Sequence, residues 1–189
     1  MRRIAQALGV GTMSLYWHVA TKDELLAFMV DLAMSAVELP DADDDWIEQL
    51  RRLAWSTRQV LQDHPALGVV LQGGVTAGPS LLRITECALA VLRGAGFDAR
   101  HVVFAFHTYS NVTVGSAVTP AQVAAPEDLS EWERERWTAG NSQRGLDPAT
   151  YPTMVELADQ FDRPLDDEYF SFALEATLAG LRAELDHLA

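Results

Sequence analysis

Two short helical stretches separated by glycines stand at the start of the 189-residue chain. Residues 2–8 and 12–18 each have the apolar spacing of a helix, and Gly9 and Gly11 between them permit a tight turn. Two short helices joined in this way form a helix-turn-helix, whose second helix presents side chains to base edges in the major groove of DNA. The pattern predicts a DNA-reading head over residues 1–37, ahead of a second domain.

The head is expected to continue into a third helix that ends near residue 37. That helix begins with a capping box, in which the Thr21 side chain caps the helix and Glu24 reaches back to the Thr21 amide. In the first two helices the apolar side chains are expected to face inward. The inward set is Ile4, Ala5, Leu8, Val10, Leu15 and Val19, and the outward polar and aromatic set is Thr12, Ser14, Tyr16, Trp17 and His18.

The remainder of the chain also has helical spacing, and no stretch alternates as β-strands do. We therefore expect an all-α fold, with a second helical domain over residues 38–189. Residues 119–148 are polar and irregular and are predicted to form a loop that contains one charged helical piece, LSEWERERW. Helices of the second domain are expected at 46–63, 65–72, 79–93, 98–118, 148–161 and 167–187.

The formal net charge of −13 is unevenly distributed. Residues 1–22 contain Arg2, Arg3 and Lys22 and no acidic residue, whereas all 27 acidic residues follow. An acidic surface repels DNA phosphates, so only the basic head is suited to a nucleic-acid backbone.

Cysteine usage and hydropathy exclude several classes of protein. The single cysteine, Cys87, rules out an intramolecular disulfide and a cysteine-based zinc site, and it is expected to be a small buried hydrophobe. No apolar run approaches the roughly 18–20 residues that cross a bilayer, and no signal segment is visible. The expected location is the cytoplasm.

The last helix has two apolar faces, which predicts a partner on each side. Small residues in helix 99–118, namely Ser110, Gly115, Ser116 and Ala117, would also permit close approach of another helix. Two such helices from each subunit can build a four-helix dimer interface around a two-fold axis. The alternative is that both helices are fully buried within a monomer. The first stripe comprises Phe170, Leu174, Thr177, Leu178, Leu181, Leu185 and Leu188, and the second Phe172, Ala176, Ala179 and Ala183.

Three stretches carry a resemblance to a known family. RRIAQALGVGTMSLYWHVATKDELL resembles the DNA-binding signature of TetR-type transcriptional repressors. GFDARHVVFAFHTYSNVTVGSAV is similar to the eighth helix of the tetracycline-repressor-like branch, and YFSFALEATLAGLRAEL is similar to its closing dimerisation helix. The resemblance implies a bacterial homodimeric repressor that binds a palindromic operator and releases it when a small molecule enters the C-terminal domain.

The resemblance also implies roles for individual residues of the head. Thr12, Met13 and Ser14 would begin the recognition helix and face bases. Lys22 would hold the DNA backbone, and Arg2 would approach the groove, where an arginine can bond a guanine with two hydrogen bonds. The aromatic residues of the same helix, Tyr16, Trp17 and His18, would contact bases or phosphates. For Tyr16 and His18 the expected contact is a phosphate.

Candidate effector residues come from polar groups on apolar helix faces. Thr57 interrupts the apolar stripe of helix 46–63. His107 and Asn111 lie four residues apart, with Phe104 beside them. Polar groups that converge in an apolar cavity describe a ligand site, although each can equally be a satisfied core residue. Arg83 and Glu86 on helix 79–93 could line the same cavity or be solvated, and the expected effector is hydrophobic, aromatic or polyketide-like.

The sequence predicts neither catalysis nor a cofactor. It contains no Ser/His/Asp order, no glycine-rich phosphate loop and no HExxH motif. Tetracycline-type members hold a magnesium chelate through histidines on the third helix and near the GGVTAGP region. The matching stretches here offer Glu38 and no histidine, so no metal site is expected.

A TetR-type DNA-binding domain has a further helix before the one that starts at Arg2, and the head is therefore expected to be incomplete. Three explanations are open: a true start upstream, a deliberate cut, or a genuine loss. They lead to two functional hypotheses. The first is a ligand-responsive repressor, and the alternative is a truncated paralogue that cannot bind DNA and acts by binding a small molecule or by heterodimerising.

Overall fold

A computed structural model describes residues 1–72, 78–117, 146–161 and 166–188. These residues form ten α-helices and no β-strand, which confirms the all-α prediction. The predicted loop at 119–148 and its charged helical piece lie almost wholly outside the described residues. The helices are α1 Arg2–Ala7, α2 Thr12–His18, α3 Lys22–Met34, α4 Trp46–Asp63, α5 Pro65–Gln72, α6 Pro79–Ala95, α7 Ala99–Gly115, α8 Pro152–Glu156, α9 Ala158–Phe161 and α10 Asp167–Leu188.

Three helix bounds differ from the sequence prediction by about three residues or more, and in one of them the helix expected over 98–118 ends at Gly115. Helix α3 ends at Met34 rather than near residue 37, because Ser35, Ala36 and Val37 continue as turns that bond carbonyls three residues back. The single helix expected over 148–161 is divided into the short helices α8 and α9, since Pro152 begins one of them and Leu157 leaves helical geometry.

Acidic and hydroxyl side chains cap the N-termini of several helices, including α3, α4 and α7. Thr21 Oγ1 accepts a hydrogen bond from the Glu24 amide at 3.0 Å, as predicted. Glu24 Oε2, however, accepts from the Ala20 amide at 2.7 Å rather than from Thr21, so the reciprocal half of the capping box is shifted by one residue. Asp98 caps α7 by accepting from the amides two and three residues on, both at 2.9 Å.

Helix α4 forms the centre of the core. It contacts α3, α5, α6, α7 and α10, and its predicted stripe of Leu50, Leu53, Thr57 and Leu61 is buried. At its start Trp46 is half-buried and meets Phe97 edge to face, with ring centroids 6.1 Å apart. The body is therefore a helical layer around α4, with α7 and α10 on one side of it.

Arg58 is buried inside this core, a placement that the sequence did not predict. Its side chain is 2% exposed. Nη1 donates to the Ser116 carbonyl at 2.9 Å, and Nη2 lies 3.1 Å from Asp167 Oδ1. The guanidinium also stacks over the Phe170 ring, 4.6 Å from its centroid. One side chain thus joins α4 to the end of α7 and the start of α10.

Tyr109 is a second buried polar contact between helices. Its hydroxyl donates to the Leu50 carbonyl at 2.9 Å, and the residue is 4% exposed. Burial raises the pKa of the Tyr109 phenol well above its ordinary value, because the phenolate would be desolvated.

This shift predicts an alkaline loss of stability. Above a pH of about 10 the unfolded chain releases the Tyr109 proton while the folded chain keeps it, so the free energy of unfolding falls by about 1.4 kcal/mol per pH unit. Tyr109→Phe removes that proton, so the free energy of unfolding should depend less steeply on pH. The loss of the hydrogen bond should lower it by about 1 kcal/mol at every pH. Urea unfolding of both proteins between pH 9 and 11.5 measures the difference, and parallel curves would contradict the prediction.

Candidate nucleic-acid interface and effector site

Helices α1 and α2 form the predicted helix-turn-helix pair. Gly9 adopts a φ of 67°, a left-handed conformation that glycine accepts without strain, and it turns the chain between them. Ala5, Leu15 and Val19 are buried between the two helices, at 2%, 8% and 7% exposure. These three inward assignments are confirmed.

Three other inward assignments are wrong. Ile4, Leu8 and Val10 are 37%, 64% and 44% exposed. Within the described residues α1 and α2 have helix-to-helix contacts with each other, and no described helix covers the flank that carries these side chains. An apolar strip therefore remains on the head, and Phe28 and Leu32 of α3 are exposed as well.

The residues predicted to bind DNA are accessible. Trp17 is 85% exposed and Met13 73%, both unusually high for apolar side chains. Arg2 and Lys22 are exposed, and Thr12 at the start of α2 is half-buried. Their role in DNA binding stays a prediction. The remaining members, Ser14, Tyr16 and His18, are exposed too.

The predicted effector residues do not converge. Thr57 is buried on α4, at 5% exposure. Arg83 donates from Nη2 to the Val37 carbonyl at 2.8 Å, which ties α6 to the turn after α3. Glu86 is exposed on α6. Each side chain of this group has a different environment.

The remaining three candidates lie on the outer face of α7. Phe104 is 51% exposed, and His107 and Asn111 are exposed beside it. The opposite face of the same helix carries the buried Ala105 and Tyr109. These positions favour contact with another molecule at the surface over a place in an interior cavity.

Helix α10 has a similar exposed face. Phe172 is 76% exposed, and the small residues of its stripe are exposed as well. The opposite stripe is buried at Phe170, Leu174, Leu178 and Leu181. Helices α7 and α10 pack directly against each other, so the two exposed faces lie on adjacent helices. Among the described residues neither helix is buried on all sides, which disfavours the alternative that both are fully buried within a monomer. The small members of the stripe are Ala176, Ala179 and Ala183.

A surface cleft of about 480 Å³ lies between α6 and the segment that leads into α4. None of the six predicted effector residues lines it. Cys87, expected to be buried, is half-buried and forms part of its wall, and burial raises the pKa of the thiol. In the sequence, the spacing of small residues along α6 is the feature that could have indicated this cleft. The lining residues are Leu39, Pro40, Ala42, Trp46, Gln49, Cys87, Ala90, Val91, Gly94 and Ala95.

No helix among the described residues is long and apolar enough to cross a membrane. The charge contrast seen in the sequence is present at the surface, where Arg2, Arg3 and Lys22 are exposed on the head. The body has acidic side chains on its exposed helix ends, including Asp45 and Asp98.

Comparison with known proteins identifies the family. Residues 39–185 match the tetracyclin repressor-like, C-terminal domain family. The chain is 33% identical over 186 residues to the HTH-type transcriptional repressor DrrR1 of Streptomyces coeruleorubidus, covering 96% of this chain and 68% of that protein. It is 29% identical over 184 residues to the class A tetracycline repressor from transposon 1721 of Escherichia coli, covering 95% of this chain and 79% of that protein.

A solved structure shows the same architecture. The TetR family protein ActR from Streptomyces coelicolor, in complex with actinorhodin, aligns with a TM-score of 0.74 and 27% identity, over 98% of this chain and 87% of that one. These relatives are regulators of transcription rather than enzymes. The chain thus belongs to the TetR family of ligand-responsive transcriptional repressors, as its sequence predicted.

Proposed function

We propose that this chain represses transcription as a homodimer that binds a palindromic operator through α2 and releases it when a hydrophobic effector binds the body. The observation that carries the proposal is the exposed surface of α2, with Met13 and Trp17, in the acid-free part of the chain. It would act in the cytoplasm, by binding rather than by catalysis, with the division between its two domains at residue 37.

The DNA contacts follow from position on α1 and α2. Thr12, Met13 and Ser14 form the first turn of α2, the part of a recognition helix that reaches base edges. Arg2, at the first position of α1, supplies a cation for guanine or phosphate, and Lys22 supplies one at the start of α3. Tyr16, Trp17 and His18 complete the surface.

The dimer interface would combine the exposed faces of α7 and α10. We assign Phe104, His107 and Asn111 to this interface rather than to the effector site, because they lie opposite the core face of α7. Two-fold symmetry brings α7 and α10 of each subunit together as four helices. Phe172 would be the largest apolar side chain buried there.

For the effector, a hydrophobic molecule of aromatic or polyketide-like character fits the proposal best. The support is the solved complex of ActR with actinorhodin, together with the burial of Thr57 on the apolar stripe of α4. Thr57 would supply a hydroxyl hydrogen bond to such a ligand. Arg83 and Glu86 are assigned to the outer edge of the effector site and not to its interior, because both are exposed and Arg83 is already bonded to Val37.

A second candidate function rests on the exposed apolar strip of the head. Because Ile4, Leu8 and Val10 are not covered, Ala5, Leu15 and Val19 are the only buried apolar side chains in residues 1–21 of the head. A weakly packed head would leave a protein that binds small molecules or heterodimerises and has no operator. DNA binding by the full chain decides between the two functions.

Removal of the head's arginines is the direct test. An operator is first selected from a random oligonucleotide pool, and binding is followed by fluorescence anisotropy over a range of salt. Arg2→Ala/Arg3→Ala should weaken binding and lower the log–log salt slope by about 4 per dimer, since each lost phosphate contact removes about 0.9.

The matched control is Arg52→Ala/Arg93→Ala, which removes the same number of charges from the body. It should leave the slope unchanged. An unaltered slope in the head variant would refute the placement of Arg2 on DNA. Failure of the wild-type chain to select any oligonucleotide at low salt would favour the second function.

A further inference from the structure

Helix α3 connects the DNA-reading head to the body. Only residues 19–21 separate it from α2, and α1 and α2 contact no other described helix, so α3 is the element that attaches the recognition helix to the body. On its other side α3 contacts α4, α5 and α6. A conformational change in the body can therefore reach α2 through the described helices only if it alters a contact of α3 with α4, α5 or α6.

The contact with α6 contains an unusual cap. Asp31 of α3 is half-buried, and its Oδ1 accepts a hydrogen bond from the Ser80 amide at 2.7 Å. Ser80 lies in the first turn of α6, whose own N-cap residue is Gly78 and supplies no side-chain cap. The carboxylate that caps α6 is thus provided by a different helix, 49 residues earlier in the chain.

Gly78 is required for this approach. A Cβ at this position would lie 2.4 Å from Asp31 Oδ1 and 2.5 Å from its Cγ, far inside van der Waals contact. A second bond lies nearby, because Arg83 of α6 donates to the Val37 carbonyl in the turn after α3. The first turns of α6 are therefore held by one bond to α3 and by a second to the turn that follows α3.

We propose that Asp31 is the positioning residue that couples α6 to the recognition helix, and that the bonded state is the operator-binding state. The inference rests on the proposed function of this chain as a repressor. A movement of the first turn of α6 would break the bond to Ser80 and free α3 to reorient α2. Reciprocity requires that operator binding in turn stabilises the Asp31–Ser80 bond.

Exchange of the Ser80 amide proton reports this bond directly. With the full chain and its selected operator, NMR-detected hydrogen exchange should show the Ser80 amide protected at least about fivefold more in the DNA complex than in free protein. Asp31→Asn keeps the acceptor oxygen and should retain the increase. Asp31→Ala should lose it while still binding operator with reduced affinity.

A matched control is Asp98→Ala, which removes an equivalent cap from α7, a helix that does not contact α3. It should retain the operator-dependent protection at Ser80. If Asp31→Ala does not fold, Gly78→Ala displaces the same carboxylate by its Cβ and is expected to lose the protection in its place.

Two results would overturn the coupling while the repressor function stands. One is an unchanged Ser80 exchange rate in a wild-type complex that forms. The other is the same increase in Asp31→Ala, or in Gly78→Ala, as in wild type. Absence of any wild-type complex with DNA instead contradicts the proposed function itself and removes the basis of the coupling with it.

Discussion

Replacement of Arg58 by alanine is expected to lower the free energy of unfolding by about 3 kcal/mol, the largest effect we expect of any single substitution on stability. The side chain is 2% exposed, and its removal leaves both a cavity and an unpaired Ser116 carbonyl. The loss of the Asp167 pair contributes less, because that carboxylate is 66% exposed and can be hydrated. The stacking contact with Phe170 is also lost.

Urea denaturation at one fixed protomer concentration measures the change, since the stability of a dimer depends on concentration. Arg51→Ala is the matched control, because Arg51 also pairs across helices, with Glu175, but is 31% exposed. It should cost about 1 kcal/mol or less. Equal losses in the two variants would show that burial of Arg58 does not decide its contribution.

Helical periodicity predicted most of the fold, because buried apolar side chains recur at a regular spacing along each long helix. The stripe on α4 and the two stripes on α10 lie where the spacing placed them, apart from Leu188 at the end of α10, which is 42% exposed. Arg58 could not be found in this way, since an arginine in a helical pattern normally marks a solvated face. Its burial depends on Ser116 and Asp167, which are distant in sequence and meet only in the folded chain.

Sequence spacing placed the effector candidates on one helix face but could not say what that face meets. Phe104, His107 and Asn111 do share a face of α7, yet it points away from the core. The same limit applies to Asp31, because its role depends on the approach of Gly78 from another helix. Periodicity specifies which residues share one face of a helix. The contacts between helices become known only from the way the helices pack in the folded chain.

Helix α10 also allows a decisive test of the dimer. Phe172→Glu is expected to raise the dissociation constant of the homodimer by about 100-fold or more, because loss of a central aromatic contact costs about 2 kcal/mol or more and two-fold symmetry repeats it in the partner. Phe172 is 76% exposed in the single chain, so the substitution should leave the fold of the protomer unchanged. Sedimentation equilibrium measures the constant, and circular dichroism checks the fold.

Leu82→Glu makes a comparable exchange of an exposed apolar side chain for a carboxylate, at 56% exposure on α6. It should leave the dimer intact. Since a palindromic operator is bound by two heads at once, Phe172→Glu should also weaken operator binding far more than Leu82→Glu. A dimer that survives Phe172→Glu at micromolar concentration would place the interface elsewhere, and His107 and Asn111 would then return to consideration as effector contacts.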